Sequence, residues 1–147
     1  MTEKDVISTL NTLIETCRDG EQGFREAAQN LRDPGVKDMF NRVAEERAKF
    51  AEELKSEVQR LGGNPAEGGS LSGAAHRGWM NVRGAIAGND DKQIIAEAER
   101  GEDVAVATYE NALKDALPPG VESVVNRQFK HVREAHDRVR DLERARE

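Results

Sequence analysis

The sequence has little that marks a secreted or membrane-embedded protein. Its 147 residues include one cysteine, Cys17, so an internal disulfide is excluded. No apolar run approaches the roughly 20 residues that a membrane helix requires. Residues 1–5 (MTEKD) contain no apolar signal-peptide segment. These absences predict a reducing, cytoplasmic location and no membrane partner.

Aromatic residues and basic patches are also scarce. Aromatics make up 4% of the chain, and 28 acidic residues outnumber 22 basic ones, for a net charge of −6. Both signs of charge are interspersed along every segment, so no patch predicts binding to nucleic acid. The chain also lacks a glycine-rich phosphate loop after a strand and a Ser-His-Asp spacing. The composition predicts a charged helical protein with one core.

What the sequence does contain is four long stretches in which apolar residues recur every three or four positions. Thr2 or Asp5 can cap the first helix, and Asp33-Pro34-Gly35 separates it from the second. Residues 62–65 (GGNP) end the second helix, and residues 118–120 (PPG) separate the third from the fourth. The spacing predicts an all-α fold over residues 1–147, a single four-helix-bundle domain with one long helical crossover, about residues 64–90, between helices two and three.

Polar residues interrupt the apolar stripes near the middle of each helix: Glu21, Arg47, Glu102, Arg133 and His136. Antiparallel helices of similar length place their midpoints at one level, so these side chains are predicted to meet in a polar core layer. Each buried carboxylate would need a cationic partner, since removing one partner of a buried ion pair costs ~3–5 kcal/mol. Gly20, Gly23 and Gly101 are predicted to leave room for the long side chains of this layer.

Six motifs along the chain carry a resemblance to a known family: CRDGEQGF (17–24), ERAKFAEEL (46–54), LGGNP (61–65), HRGWM (76–80), ERGED (99–103) and AHDRVR (135–140). Together they resemble a bacterial ferritin-like four-helix-bundle family of unknown function, within the ferritin-like superfamily. The similarity covers nearly the whole chain. It implies the bundle fold and implies no agreed activity.

The resemblance also bears on metal binding. In metal-binding ferritin-like proteins, two helices supply one Glu each, and the other two supply a Glu-x-x-His pair each. Glu21 and Glu102 match the lone glutamates, whereas the two pairs fall on Arg47 and Phe50 and on Arg133 and His136. Arginine has no lone pair for a metal and keeps its charge. The resemblance therefore implies a salt-bridge network in place of a di-iron site, a degenerate metal site without a cofactor.

A competing interpretation retains a metal. A modest rotation of helix two would present Glu46 and Glu53 beside Glu21, Glu102 and His136, as ligands of iron or manganese. By family analogy alone, such a site would belong to an oxidase that consumes peroxide or oxygen, or to an iron-handling protein.

Four residues outside this layer stand out. His76 and Trp79 in the predicted crossover are either a docking or ligand site, or an anchor that packs the crossover against the bundle. Cys17 is expected to be an inert buried thiol. His131 is expected to lie at the surface or at an interface.

The sequence thus favours a metal-free structural or interaction protein over an enzyme. Its expected partner is a second copy of the chain or another protein, and the family association implies a stress setting. The metal-binding oxidase is the alternative.

Overall fold

The structure is a computed structural model that describes residues 1–66 and 90–146, and it has the predicted all-helical architecture. Its four helices are α1 (Glu3–Asn30), α2 (Pro34–Arg60), α3 (Asp91–Lys114) and α4 (Pro119–Ala145), and these two ranges contain no strand. No helix in the same ranges offers an apolar stretch sufficient for a membrane span. His76, Trp79 and most of the predicted crossover lie outside the described residues.

Helices α1, α2 and α3 begin at side-chain caps, whereas α4 begins after Pro118 without one. Thr2 caps α1 by accepting a hydrogen bond from the Asp5 backbone N–H, and Asp5 accepts one from the Thr2 N–H in return. The two candidate caps therefore act together as a capping box. Asp33 caps α2 by accepting from the N–H groups of Gly35 and Val36, with Pro34 at the first helical position.

The end of α2 is set by a glycine turn. Gly62 has a φ of 80°, a conformation that glycine adopts without steric cost. Its N–H donates to the Gln59 carbonyl, and the Gly63 N–H donates to the Val58 carbonyl, both at 3.0 Å. This Schellman motif satisfies carbonyl groups that the end of the helix would otherwise leave free.

Hydrogen bonds at the two ends of the bundle define its topology. The Asp91 carboxylate at the start of α3 accepts from the N–H groups of Arg32 and Asp33 in the α1–α2 turn. Arg146, just after α4, pairs with Asp33 at 2.9 Å. At the opposite end the Thr9 hydroxyl of α1 donates to Asp115, just after α3.

It follows that α2 and α3 run parallel to each other and antiparallel to α1 and α4. The described chain leaves α2 at the Thr9 end, where Asn11 of α1 accepts from the Ala66 N–H and donates to the Asn64 carbonyl. It resumes at Asp90 at the other end. A long connection between helices two and three is the topology that the sequence predicts.

The apolar core consists of two clusters, one toward each end of the bundle. The cluster nearer the Thr9 end includes Leu10, Leu13, Leu54, Tyr109 and Val125. The other includes Phe24, Phe40, Ile94, Ile95 and Val139, with Phe24 and Phe40 in edge-to-face contact at 4.9 Å between ring centroids. Along α2 and α3, Arg47 and Glu102 fall between the two clusters, at a level that we call the waist.

Candidate functional site

The waist is occupied by a buried ion pair between α2 and α3. Arg47 Nη1 donates to Glu102 Oε1 at 2.8 Å, and Arg47 Nη2 donates to Glu102 Oε2 at 2.5 Å. The two side chains, which we call the waist pair, are 1% and 0% exposed. Burial alone would lower the pKa of Arg47, but the charge of Glu102 and its hydrogen bonds raise that pKa above the ordinary value. The guanidinium therefore stays charged inside the core.

Helix α1 makes room for Arg47 at Gly20. A Cβ atom on Gly20 would lie 3.1 Å from Arg47 Nη1, so a larger residue would press on the guanidinium. The Phe24 ring lies on the guanidinium at 5.7 Å from centroid to Cζ, in a cation–π contact. Among the described residues, Arg47 Nε has no hydrogen-bond partner although it is buried, which reduces the net stability that the pair supplies.

Glu21 does not join the waist pair, which corrects the prediction of a common polar layer. Its side chain is 15% exposed and pairs with Arg18 at 3.0 Å and with Arg25 at 2.8 Å. Gly20, not Glu21, continues the buried stripe between Cys17 and Phe24. The next residue along a helix is rotated by about 100°, which carries Glu21 to the edge of the α1–α2 face.

Arg133 and His136 are displaced from the predicted layer for the same reason. The buried stripe of α4 runs through Val125, Gln128, Val132, Ala135 and Val139. Each of the two predicted residues lies one position beyond a member of that stripe. Arg133 is therefore exposed, 5.9 Å from the Phe129 ring centroid. The His136 side chain is only 17% exposed and faces α3 instead of the waist pair.

His136 lies in a second polar group, on the surface between α3 and α4. Its Nε2 atom lies 2.6 Å from Asp103 Oδ1, and its Nδ1 atom lies 3.0 Å from Asp137 Oδ1. Burial alone would lower the pKa of His136, but the hydrogen bonds to Asp137 and Asp103 raise it above the ordinary value.

Glu99 completes this group. One ligand-type atom from each of Glu99, Asp103 and His136 lies within 4.8 Å of the other two. We call these three residues the carboxylate–histidine cluster. Sequence reasoning did not single out Glu99 or Asp103. The available signal was their spacing of four residues, which puts both on one face of α3.

The side chains of the alternative metal site, Glu21, Glu46, Glu53, Glu102 and His136, do not lie around a common point in the structure. Glu46 lies 3.7 Å from His131, while Glu53 pairs with Arg127 and Gln128. At the waist, both oxygens of Glu102 are already bonded to Arg47. A guanidinium offers no lone pair, so the side chains at the waist do not fit a pair of metal ions there.

A hydrogen-bond chain runs from Cys17 toward the surface. Cys17 Sγ lies 3.1 Å from the Tyr109 hydroxyl, which donates to Gln128 Oε1 at 2.8 Å. Gln128 Nε2 in turn donates to Glu53 at 2.7 Å. We call these four residues the Cys–Tyr network. Burial raises the pKa of Cys17 to about 11, so this buried thiol is protonated at neutral pH and matches the expectation of an unreactive cysteine.

A cleft of about 340 Å³ lies between α1 and α3 and is lined by Thr9, Thr12, Thr108, Asn111 and Asp115, among others. The hydroxyls of Thr12 and Thr108 donate to carbonyls of their own helices, and Thr9 donates to Asp115. Each of these three hydroxyls is therefore engaged in a hydrogen bond to the protein itself.

Comparison with solved structures supports the ferritin-like fold. A two-domain protein from Anabaena variabilis, with DJ-1/ThiJ/PfpI-like and ferritin-like domains, matches 99% of this chain at a TM-score of 0.78 and 20% identity. This chain spans 38% of that protein. A mutant of Dps1 from Mycobacterium smegmatis matches at a TM-score of 0.76 and 16% identity, over 96% of both chains. At these identities the likeness shows the fold alone.

Comparison with functionally curated proteins gives no match. A family model described as "Domain of unknown function (DUF2383)" matches residues 5–115, which includes three of the four helices. The chain therefore belongs to the DUF2383 family and has a ferritin-like four-helix fold.

Proposed function

We propose that this chain is a structural or interaction protein whose waist is metal-free, with an ion pair in the place of the metal centre of a ferritin-like bundle. The observation that carries the proposal is the waist pair. Arg47 occupies both carboxylate oxygens of Glu102, which is 0% exposed.

The ion pair can perform the structural task of a metal centre without its chemistry. A metal ion at the waist would neutralise carboxylates and connect helices across the core. Arg47 neutralises Glu102 through two charge-assisted hydrogen bonds and connects α2 to α3. It offers no open coordination position at which oxygen or peroxide could react. This supports a rigid scaffold and does not support an oxidase.

The outer faces of the helices are then the surfaces through which the protein would act. We place a homodimer contact or a protein partner there, in a reducing cytoplasm that suits the free thiol of Cys17. The stress association implied by family resemblance stays a prediction.

Metal analysis tests the proposal against the oxidase alternative. The variant Asp103→Asn removes one member of the surface cluster and keeps Glu21, Glu46, Glu53, Glu102 and His136. A waist oxidase would bind about one or two ions per chain. After loading of this variant with Fe(II) or Mn(II), followed by gel filtration, we expect less than about 0.1 ion per chain by elemental analysis.

Two further results complete the test. One result would contradict the proposal and support the oxidase. In that result, Asp103→Asn binds about one or two iron or manganese ions per chain, and the double variant Asp103→Asn/Glu102→Gln no longer binds them.

Light scattering coupled to gel filtration addresses the interaction role, and we expect a mass of two chains. A strict monomer at high concentration would argue against self-association and leave a different protein as the partner to be identified.

A further inference from the structure

We infer that Glu99, Asp103 and His136 form a binding site for a divalent transition-metal ion on the surface between α3 and α4. The site is separate from the waist, since it shares no residue with the waist pair. The inference therefore goes beyond the proposed function and does not depend on it.

The donor set is the first argument. The cluster supplies one imidazole nitrogen and two carboxylate oxygens, all within 4.8 Å of one another. Such mixed nitrogen and oxygen donors suit zinc, iron and manganese, whereas calcium and magnesium prefer oxygen donors only. The Asp103 side chain is 60% exposed, so water can reach the remaining coordination positions.

The scaffold is the second argument. Glu99 and Asp103 lie four residues apart on one face of α3, and His136 lies on α4, which is joined to α3 by a short turn. All three side chains are therefore held by long helices and not by loops. A ligand set on rigid elements is already close to its binding geometry before an ion arrives.

The surroundings of His136 are the third argument. Asp137 Oδ1 lies 3.0 Å from His136 Nδ1, which leaves Nε2 directed at Asp103. Metal-binding histidines commonly donate their second ring N–H to a carboxylate, which fixes the tautomer and the orientation of the ring. Arg140 pairs with Asp137 at 3.3 Å and so orients this outer carboxylate.

A simpler role for His136 is an ion pair, in which the protonated ring holds Asp103 and Asp137. The two roles differ in their response to metal. An ion pair needs no added ligand and gives no binding isotherm, whereas a metal site binds at a defined stoichiometry and depends on each of its three ligands.

The test is a calorimetric titration of the full chain with Zn²⁺, after purification without a histidine tag and removal of metals by chelation. We expect about one Zn²⁺ per chain. Asp137→Asn, which changes a residue outside the ligand set, should weaken zinc binding by roughly 10- to 100-fold. A larger loss is expected when a ligand itself is replaced, as in His136→Gln, Asp103→Asn and Glu99→Gln. The absorption spectrum of bound Co²⁺ provides a second readout, because four-coordinate nitrogen and oxygen ligation gives a distinct visible band.

His131→Gln is the matched control. His131 also lies beside two carboxylates, Glu46 at 3.7 Å and Glu134 at 3.9 Å, but the ligand atoms of these three residues do not all lie within 4.8 Å of one another. Zinc binding should be unchanged in this variant, and circular dichroism should show that every variant is folded. Absence of zinc binding by the wild-type chain, or full binding by folded His136→Gln, would overturn the inference. Loss of binding in His131→Gln alone would overturn it as well.

Discussion

At the scale of single residues, Arg47 and Glu102 depend on each other. Each would be an unpaired charge in the core without the other, because both are almost completely buried. Glu21 is in a different position, since its carboxylate is partly exposed and has two arginine partners at the surface. The structure therefore predicts unequal costs for removing these two glutamates.

Glu102→Ala should lower the free energy of unfolding by ~3–5 kcal/mol, because it leaves the guanidinium buried and unpaired. Glu21→Ala should lower it by about 1 kcal/mol, since partly exposed ion pairs contribute little. Urea denaturation followed by circular dichroism measures both. Equal losses in the two variants would contradict the assignment of Glu21 to the edge of the core.

The double variant Arg47→Met/Glu102→Leu separates the effect of charge from the effect of packing. Replacing a buried ion pair with apolar residues of similar volume is often neutral or stabilising. We expect the double variant to regain most of the stability that Glu102→Ala loses. A loss equal to the sum of the losses in Arg47→Met and Glu102→Leu would contradict this expectation, because additive losses mean that the two side chains do not depend on each other.

These residues also show which parts of the site follow from the sequence. Arg47 lies four residues after Val43 and three before Phe50, and it holds this core position although the small residue Ala48 is adjacent. Glu102 is placed equally well between Ala98 and Ala105. In α1 and α4 the core position is taken by Gly20 and Ala135, and not by the adjacent Glu21 and His136. The spacing of apolar residues alone did not distinguish the small residue from its larger neighbour in either helix.

At the scale of helices, Gly20 determines how closely α1 approaches α2. Alanine stabilises a helix interior by about 1 kcal/mol relative to glycine, but here its Cβ would press on Arg47 Nη1 at 3.1 Å. The two hydrogen bonds to Glu102 restrict how far the guanidinium can move. Steric contact and helix propensity therefore oppose each other at this position.

Gly20→Ala should accordingly destabilise the wild-type chain, by roughly 1 kcal/mol in the free energy of unfolding. In an Arg47→Met background the same change should stabilise by about 0.5–1 kcal/mol, because only the helix propensity remains. Gly120→Ala is the matched control, since a Cβ there would meet no atom within 4 Å. The same effect of Gly20→Ala in both backgrounds would show that Gly20 does not act through Arg47.

The sequence predicts where the helices begin and end better than it predicts which face of each helix is buried. Caps such as Thr2 and Asp33 are local signals, which depend on hydrogen bonds within a few residues. The orientation of α4 depends on its neighbours. The structure buries Gln128, whose hydrogen-bond partners include Tyr109 and Glu53, while the adjacent Phe129 packs partly buried against the same core cluster.

At the scale of the whole molecule, the Cys–Tyr network involves all four helices. Cys17 belongs to α1, Tyr109 to α3, Gln128 to α4 and Glu53 to α2. Because Tyr109 donates to Gln128, its hydroxyl is left to accept from the Cys17 thiol. The network therefore needs the thiol in its protonated form.

Because the folded chain needs this proton, its stability should fall at alkaline pH. Burial raises the pKa of Cys17 from an ordinary value of 9.0 to about 11. Above the ordinary value the unfolded chain loses this proton while the folded chain keeps it, so stability falls as pH rises. Between those two pKa values the wild-type chain should lose ~2–3 kcal/mol relative to Cys17→Ala, measured by urea denaturation at each pH. A constant difference between the two proteins across this range would contradict the effect.

The position of the waist pair also limits how α2 and α3 can slide along each other. Stripes of alanine, valine and leucine are similar from turn to turn, and a shift of one helical turn, about 5.4 Å, would keep much of the apolar contact. The same shift would move the Arg47 guanidinium away from the Glu102 carboxylate and among apolar side chains. The free-energy cost of leaving this buried charge unpaired exceeds what the retained apolar contacts supply. The waist pair thereby fixes the axial alignment of α2 relative to α3.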